Sequence, residues 1–159
     1  ARCFPDKQII IKLHPFDELG INDLLYGHKI KDKYTNILVV KNVDLMPLIE
    51  NSSLVITSQF SSAAIDAVIL NKPVITLNLF KTEDFVPFAQ RGVALSVTKP
   101  EHLCQAVRQI FEDKKTRDWF GYNRESFMFD CAYKIDGKSS GRVLELIKRI
   151  YDESISNKK

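Results

Sequence analysis

Apolar positions along the chain alternate between short β-branched runs and longer amphipathic stretches, the pattern of βα units built around a parallel sheet. Residues 8 to 14, centred on Ile9, Ile10 and Ile11, predict a first strand that Pro15 stops. Asp17 to about Tyr26 predicts a helix. Ile37-Leu38-Val39-Val40 predicts a second strand, and Leu45 to Asn51 a short helix behind Asp44. Leu54 to Thr57 predicts a third strand, Ser62 to Leu70 a helix, Pro73 to Leu77 a fourth strand and Val93 to Ser96 a weaker fifth. These strands are continuous apolar runs, as expected where helices cover both faces of a sheet.

Beyond the fifth strand the period becomes helical. Thr98-Lys99-Pro100-Glu101 has capping-box spacing, with Pro100 in the first turn, where its missing N–H costs little. Leu103, Val107, Ile110 and Phe111 then share one face. After a polar break at Glu112 to Lys115, a second helical stretch runs to about Phe127. A last helix spans about Ser139 to Ser154, with Val143, Leu146, Ile147, Ile150 and Tyr151 on its apolar face.

The architecture expected is α/β: a Rossmann-like three-layer domain with a mostly parallel sheet of about five to six strands and a helical C-terminal part. Residues 1–159 read as one domain, with 155–159 a polar tail. The first residues lack an initiator Met and lead almost directly into a strand, which reads as a cut inside a longer protein.

Composition narrows the class without naming a partner. Hydrophobic residues make up 45% of the chain and charged ones 27%, ordinary values for a soluble globular domain. A net charge of +3, with Lys and Arg scattered among acids, gives no basic stripe for nucleic acid. Cys3, Cys104 and Cys131 form an odd, unpatterned set without CxxC, so neither a disulfide framework nor a metal site is expected, and a reducing, cytoplasmic setting fits. No apolar run approaches the ~18 residues of a transmembrane helix, and no signal peptide opens the chain.

Ligands of open parallel sheets bind beyond the carboxyl ends of the strands. Four junctions qualify: His14-Pro15, Asn42 to Asp44, Ser58 to Ser62, and Asn78 to Pro87. The third is the most informative, because four of the six residues from Thr57 to Ser62 carry a hydroxyl. The helix that follows is apolar all round except for Asp66, which marks it as buried. Its N–H groups and dipole would suit a phosphate, which the hydroxyls could meet without adding negative charge. The plainer account is that Ser61 or Ser62 caps the helix. Asp66 lies four residues past Ser62, outside capping-box spacing, and a carboxylate in a buried helix needs a partner. That partner is either a ribose diol or a nearby Lys or backbone donor, and both remain open.

His14 ends a strand and is fixed by Pro15, so its imidazole stands at the ligand edge, where it could pair with a phosphate or donate a proton. The alternative is a histidine bonded to a neighbouring loop. Phe80, Phe85 and Phe88 follow the fourth strand and either cover a base or sugar or simply pack the loop down. Asp136 to Ser140 reads as a plain helix start. GxGxxG, GxxxxGK[ST] and GxSxG are absent, which removes support for dinucleotide, P-loop and hydrolase readings.

Several pieces in order carry a resemblance: Ile11-Lys12-Leu13-His14-Pro15, Leu48 to Thr57, Ser61-Ser62-Ala63-Ala64-Ile65-Asp66-Ala67, Leu70 to Ile75 and, more loosely, Asp136-Gly137-Lys138. Together they resemble the C-terminal domain of GT-B glycosyltransferases, in the branch with CDP-glycerol glycerophosphotransferases, capsule-polysaccharide transferases and UDP-N-acetylglucosamine 2-epimerases. The resemblance implies that Ser58, Ser61 and Ser62 hold the diphosphate of a UDP- or CDP-linked donor. It places Asp66 on the ribose and His14 at the family's histidine-proline strand end. The serines and alanines here stand where the epimerases carry a glycine pair, which sets this chain apart from them.

The expected function is therefore donor binding in a glycosyltransferase or polyol-phosphate transferase of surface-polysaccharide or glycoconjugate synthesis, without metal or further cofactor. The acceptor site would lie on a missing N-terminal domain of the same chain, the full-length protein being cytoplasmic and peripheral to the inner face of the membrane. The alternatives are an epimerase-like isomerase and a non-catalytic nucleotide-binding or assembly module.

Overall fold

The computed structural model describes residues 1–16, 33–83 and 86–156. The helix expected from Asp17, together with His28 and Phe85, lies outside them.

Two strands open the fold. Ile9–Lys12 forms β1 and Ile37–Val40 forms β2, paired in parallel with Ile9 opposite Ile37 and Lys12 opposite Val40. Asp44 accepts a hydrogen bond from the Met46 N–H at 3.2 Å and so starts α1, Leu45–Glu50. The chain then builds β3 (Val55–Ser58), α2 (Ala63–Ile69), β4 (Val74–Leu77) and β5 (Leu95–Val97). A 3-10 turn at Pro100–His102 leads into α3 (Leu103–Glu112), α4 (Lys114–Ala132) and α5 (Ser139–Ser156).

Strands β3, β4 and β5 pair in parallel in that order, with Val55 opposite Val74 and Ile75 opposite Leu95. Successive side chains of a strand point to opposite faces, and β4 uses both. Val74 enters a core with Ala64, Ala67 and Val68 of α2, Ile49 of α1, and Phe88, Val93 and Phe127. Its neighbour Ile75 enters a second core with Val97, with Ala106, Val107 and Ile110 of α3, and with Phe120 of α4. This double burial is why the strand reads as an unbroken apolar run.

The α/β architecture with parallel strands and a helical C-terminal part agrees with expectation. The sheet does not form one unit, however. Among the described residues five strands fall into a two-stranded and a three-stranded sheet, because no backbone ladder joins β1 or β2 to β3.

Local chemistry sets where the elements stop. At the end of α2, Asn71 takes a left-handed conformation (φ 54°). Its N–H reaches the Val68 carbonyl at 3.0 Å and the Lys72 N–H reaches that of Ala67 at 2.8 Å, so the helix closes in a Schellman motif before Pro73. The capping box expected at Thr98 does not form. Lys99 precedes the 3-10 turn and makes no side-chain cap bond, since the turn begins directly at Pro100. The polar break narrows to Asp113, whose carboxylate accepts from Lys115 N–H at 3.0 Å and lets α4 start at once and run on to Ala132. The last helix continues through Ile155 to Ser156, past the expected boundary of the tail.

Two further expectations are corrected. Cys3 and Cys104 form a disulfide, with Cα atoms 6.3 Å apart, between the segment ahead of β1 and the first turn of α3. Their sequence separation of 101 hides the pairing from any spacing rule, whereas in the fold Phe4 packs on the second core beside Leu103. Cys131 is free and exposed. The apolar stripe of α5 also meets water rather than a core: Val143, Leu146, Ile147, Ile150 and Tyr151 are all exposed, and no residue of the helix is buried.

Candidate functional site

The turn between β3 and α2 lies at the carboxyl ends of the three-stranded sheet. Ser58 ends β3 and is exposed, Ser61 is half-buried, Ser62 is exposed at the N-cap position, and Asp66 is half-buried in the first turn of α2. The structure thus brings four of the five expected site residues together on one loop and one helical turn.

The turn is closed by short-range bonds. Ser61 N–H donates to the Ser58 carbonyl at 3.1 Å, and the Ser61 hydroxyl accepts from Ala63 N–H at 3.3 Å. Ala64 N–H donates to the Ser61 carbonyl at 3.2 Å and Ile65 N–H to that of Ser62 at 2.9 Å. The sequence leads one to expect open N–H groups at this helix end; here Ala63, Ala64 and Ile65 spend theirs inside the turn. Ser61 therefore takes the capping role, while the Ser62 side chain forms no cap bond. What remains for a ligand is the pair of exposed hydroxyls, Ser58 and Ser62, and the Asp66 carboxylate.

Of the two partners that the sequence leaves open for Asp66, the protein one is not found. Among the described residues no Lys or Arg pairs with its carboxylate and no hydrogen bond engages it. A half-buried carboxylate without a protein partner, one turn inside an otherwise apolar helix, is a group with unused acceptor capacity.

His14 stands elsewhere. It follows β1 in the two-stranded sheet and is exposed; its Nδ1 accepts from Phe16 N–H at 3.2 Å and its ring tilts against Phe16 with centroids 5.5 Å apart. That bond leaves Nε2 as the atom available to a ligand. No hydrogen bond or ring contact joins His14 to the serine turn. Of the loop aromatics, Phe88 is buried in the core and Phe80 is exposed. The Asp136 turn is a helix start: the Lys138 N–H and then Arg142 hold the Asp136 carboxyl below its ordinary range.

Residues with no sequence signal complete the edge. Gln59 and Asn78 are buried polar side chains at the ends of β3 and β4. Asn78 Nδ2 donates to the Thr82 carbonyl at 2.8 Å and Thr82 N–H donates back to Asn78 Oδ1 at 3.1 Å, which fixes the first turn after β4. Their positions next to strand ends are the sole hint that periodicity could have offered. Among the described residues no group of three His, Cys, Asp or Glu could hold a metal ion.

Comparison with known proteins bears on this arrangement. Solved structures share the fold, two of them as follows. One is the spinosyn forosaminyltransferase SpnP, with a TM-score of 0.52 at 14% identity over 77% of this chain and 40% of that one. The other is a UDP-N-acetylglucosamine 2-epimerase, with a TM-score of 0.50 at 15% identity over 81% of this chain and 38% of that one. The fold is GT-B-like. Residues 1–79, just under half of the chain, match the family described as Capsule polysaccharide biosynthesis protein. No curated protein matches the chain in sequence. The GT-B-like domain spans about two fifths of each structure it resembles. No helix among its described residues is long and apolar enough to cross a membrane.

Proposed function

We propose that this GT-B-like domain is the donor-binding part of a glycosyltransferase or polyol-phosphate transferase that uses a nucleotide diphosphate-activated substrate in polysaccharide synthesis. The observation that carries the reading is the unpartnered Asp66 carboxylate one helical turn behind the exposed hydroxyls of Ser58 and Ser62. A carboxylate accepts both hydroxyls of a ribose diol, and neutral hydroxyls donate to a diphosphate without repelling it. The match to the capsule polysaccharide family supports the same direction.

In the proposed glycosyl transfer the acceptor attacks the anomeric carbon and the nucleoside diphosphate leaves; in polyol-phosphate transfer the acceptor attacks the phosphorus next to the polyol and a nucleoside monophosphate leaves. Ser58 and Ser62 would stabilise the charge growing on the leaving oxygens. His14 Nε2 would serve the same anion as a hydrogen-bond donor if β1 and the serine turn face one ligand. The acceptor site and the general base belong, in this proposal, to a further domain N-terminal to this one, so the chain as it stands binds the donor without turning it over.

Calorimetry with UDP, CDP and their sugar conjugates tests this. Binding is expected to weaken by roughly tenfold or more in Asp66→Ala and by about fivefold in Ser62→Ala. Unchanged affinity in both variants would remove the site. Release of free epimer from UDP-N-acetylglucosamine by the full-length protein would replace the transferase reading with an isomerase.

The exposed stripe of α5 favours a second reading, a binding or assembly module that makes protein contacts. It requires that none of these nucleotides raise the melting temperature, since any ligand of the folded state does so.

A further inference from the structure

Between the exposed Ser58 and Phe60, the chain turns one polar side chain inward. Gln59 is 3% exposed, and its Nε2 donates to the Thr82 hydroxyl. Its Oε1 is shut off from solvent and, among the described residues, accepts no hydrogen bond. Exchanging the amide's oxygen and nitrogen does not resolve this. A hydroxyl can serve either atom, so Thr82 satisfies one and the other is left alone whichever way the amide lies. Buried amides are nearly always bonded, so an orphan atom calls for an explanation.

Thr82 does not meet Gln59 by chance. The paired bonds between Thr82 and Asn78 hold its backbone, while the Gln59 N–H donates to the Leu77 carbonyl at 3.3 Å and fixes the other side. The amide and its hydroxyl partner thus sit between the carboxyl ends of β3 and β4, directly under the serine turn. Because the orphan atom is out of reach of solvent, a ligand can meet it only if the amide leaves its present position, which breaks its bond to Thr82.

We infer that Gln59 is a specificity residue for the donor: on binding, its amide exchanges the Thr82 hydroxyl for a hydroxyl of the ligand's ribose or sugar. A hydroxyl both donates and accepts, so it fits either orientation of the amide. The exchange conserves the number of hydrogen bonds to the amide, and a second, neighbouring hydroxyl of the same ligand would satisfy the atom that the unliganded form leaves alone. This inference rests on the donor-binding reading above and adds the residue that senses the ligand's hydroxyls.

The test measures melting temperature without ligand and calorimetric affinity for UDP, CDP and their 2′-deoxy forms in the full chain. Gln59→Met removes the orphan atom along with the amide. It is expected to leave the unliganded melting temperature unchanged or raised, and to weaken the preferred nucleotide or its sugar conjugate about five- to tenfold. Thr82→Val frees the amide and is expected to keep or improve affinity. Gln59→Asn, which keeps an amide one carbon shorter, is the second variant should Met not fold, and it too is expected to bind more weakly. A lower melting temperature with full affinity in Gln59→Met or Gln59→Asn would make the amide purely structural and overturn the inference, as would weaker binding in Thr82→Val. Sensitivity to Asp66→Ala alone leaves the donor site standing and removes only the role of Gln59. No nucleotide binding at all removes both.

Discussion

The guanidinium of Arg124 reaches across from α4 to the end of α2, its Nε donating to the Val68 carbonyl at 2.7 Å and its Nη2 to the Ile69 carbonyl at 2.5 Å. Both carbonyls belong to the last turn of the helix, where a cation also meets the negative end of the dipole; that of Val68 takes the Asn71 N–H as well. One side chain therefore fixes the rear of the helix whose front carries the candidate site.

Arg124→Met keeps the aliphatic stem and leaves both half-buried carbonyls without their charged donor. The expected loss is about 2–3 kcal/mol, read as a fall of roughly 5–10 °C in a thermal melt. An unchanged melt in Arg124→Met would show that these bonds do not hold the end of α2.

Gly92 holds φ at +70°, and a Cβ there would lie 2.6 Å from Asn123 Nδ2 and 2.8 Å from the Trp119 ring. The amide of Asn123 can swing away, but the indole is the wall of the turn. Gly92→Ala is expected to cost about 2 kcal/mol in urea unfolding, from strain and displaced packing together.

The Asp113 carboxyl is held below its ordinary value, first by the Thr116 hydroxyl at 2.6 Å and then by the Lys115 N–H. A group with a depressed pKa in the fold contributes stability above its unfolded pKa of about 3.9, and that contribution disappears as pH falls through the lower, folded value. Urea midpoints measured from roughly pH 6 down to 2 should therefore drop less steeply in Asp113→Asn, which keeps a capping oxygen but cannot titrate.

Helix α5 has 18 residues and buries none of them, so tertiary packing contributes little to its protection. Its amides are expected to exchange with deuterium at least ~10-fold faster than those of α4, where Phe120 and Phe127 are buried. Equal protection would mean that α5 is covered in solution, by a second copy at higher protein concentration or by a ligand.

The sequence carried the local signals well and the pairwise ones poorly. Continuous apolar runs located β2, β3 and β4 to within a residue, and Asp44 and Pro73 marked a helix start and a strand entry, because burial and capping act over a few neighbouring positions. The grouping of strands into two sheets depends on backbone bonds between distant segments, and nothing in a run such as Ile37-Leu38-Val39-Val40 says whether a third strand joins it. The same holds at the site. Ser58, Ser62 and Asp66 were legible from hydroxyl content and an out-of-place carboxylate. Gln59 was not, since its meaning comes from Thr82, 23 positions away. The stripe on α5 was read correctly as apolar, but a periodic pattern identifies a face without identifying what covers it.

The bond between Cys3 and Cys104 turns the first two thirds of the chain into a covalent ring with α4 and α5 as its tail. A single nick inside that ring releases nothing while the bridge stands, whereas the same nick under reducing conditions frees two pieces. Since, among the described residues, no ladder links the β1–β2 pair to the three-stranded sheet, the bridge is also a covalent tie between the segment that leads to His14 and the half that bears Asp66.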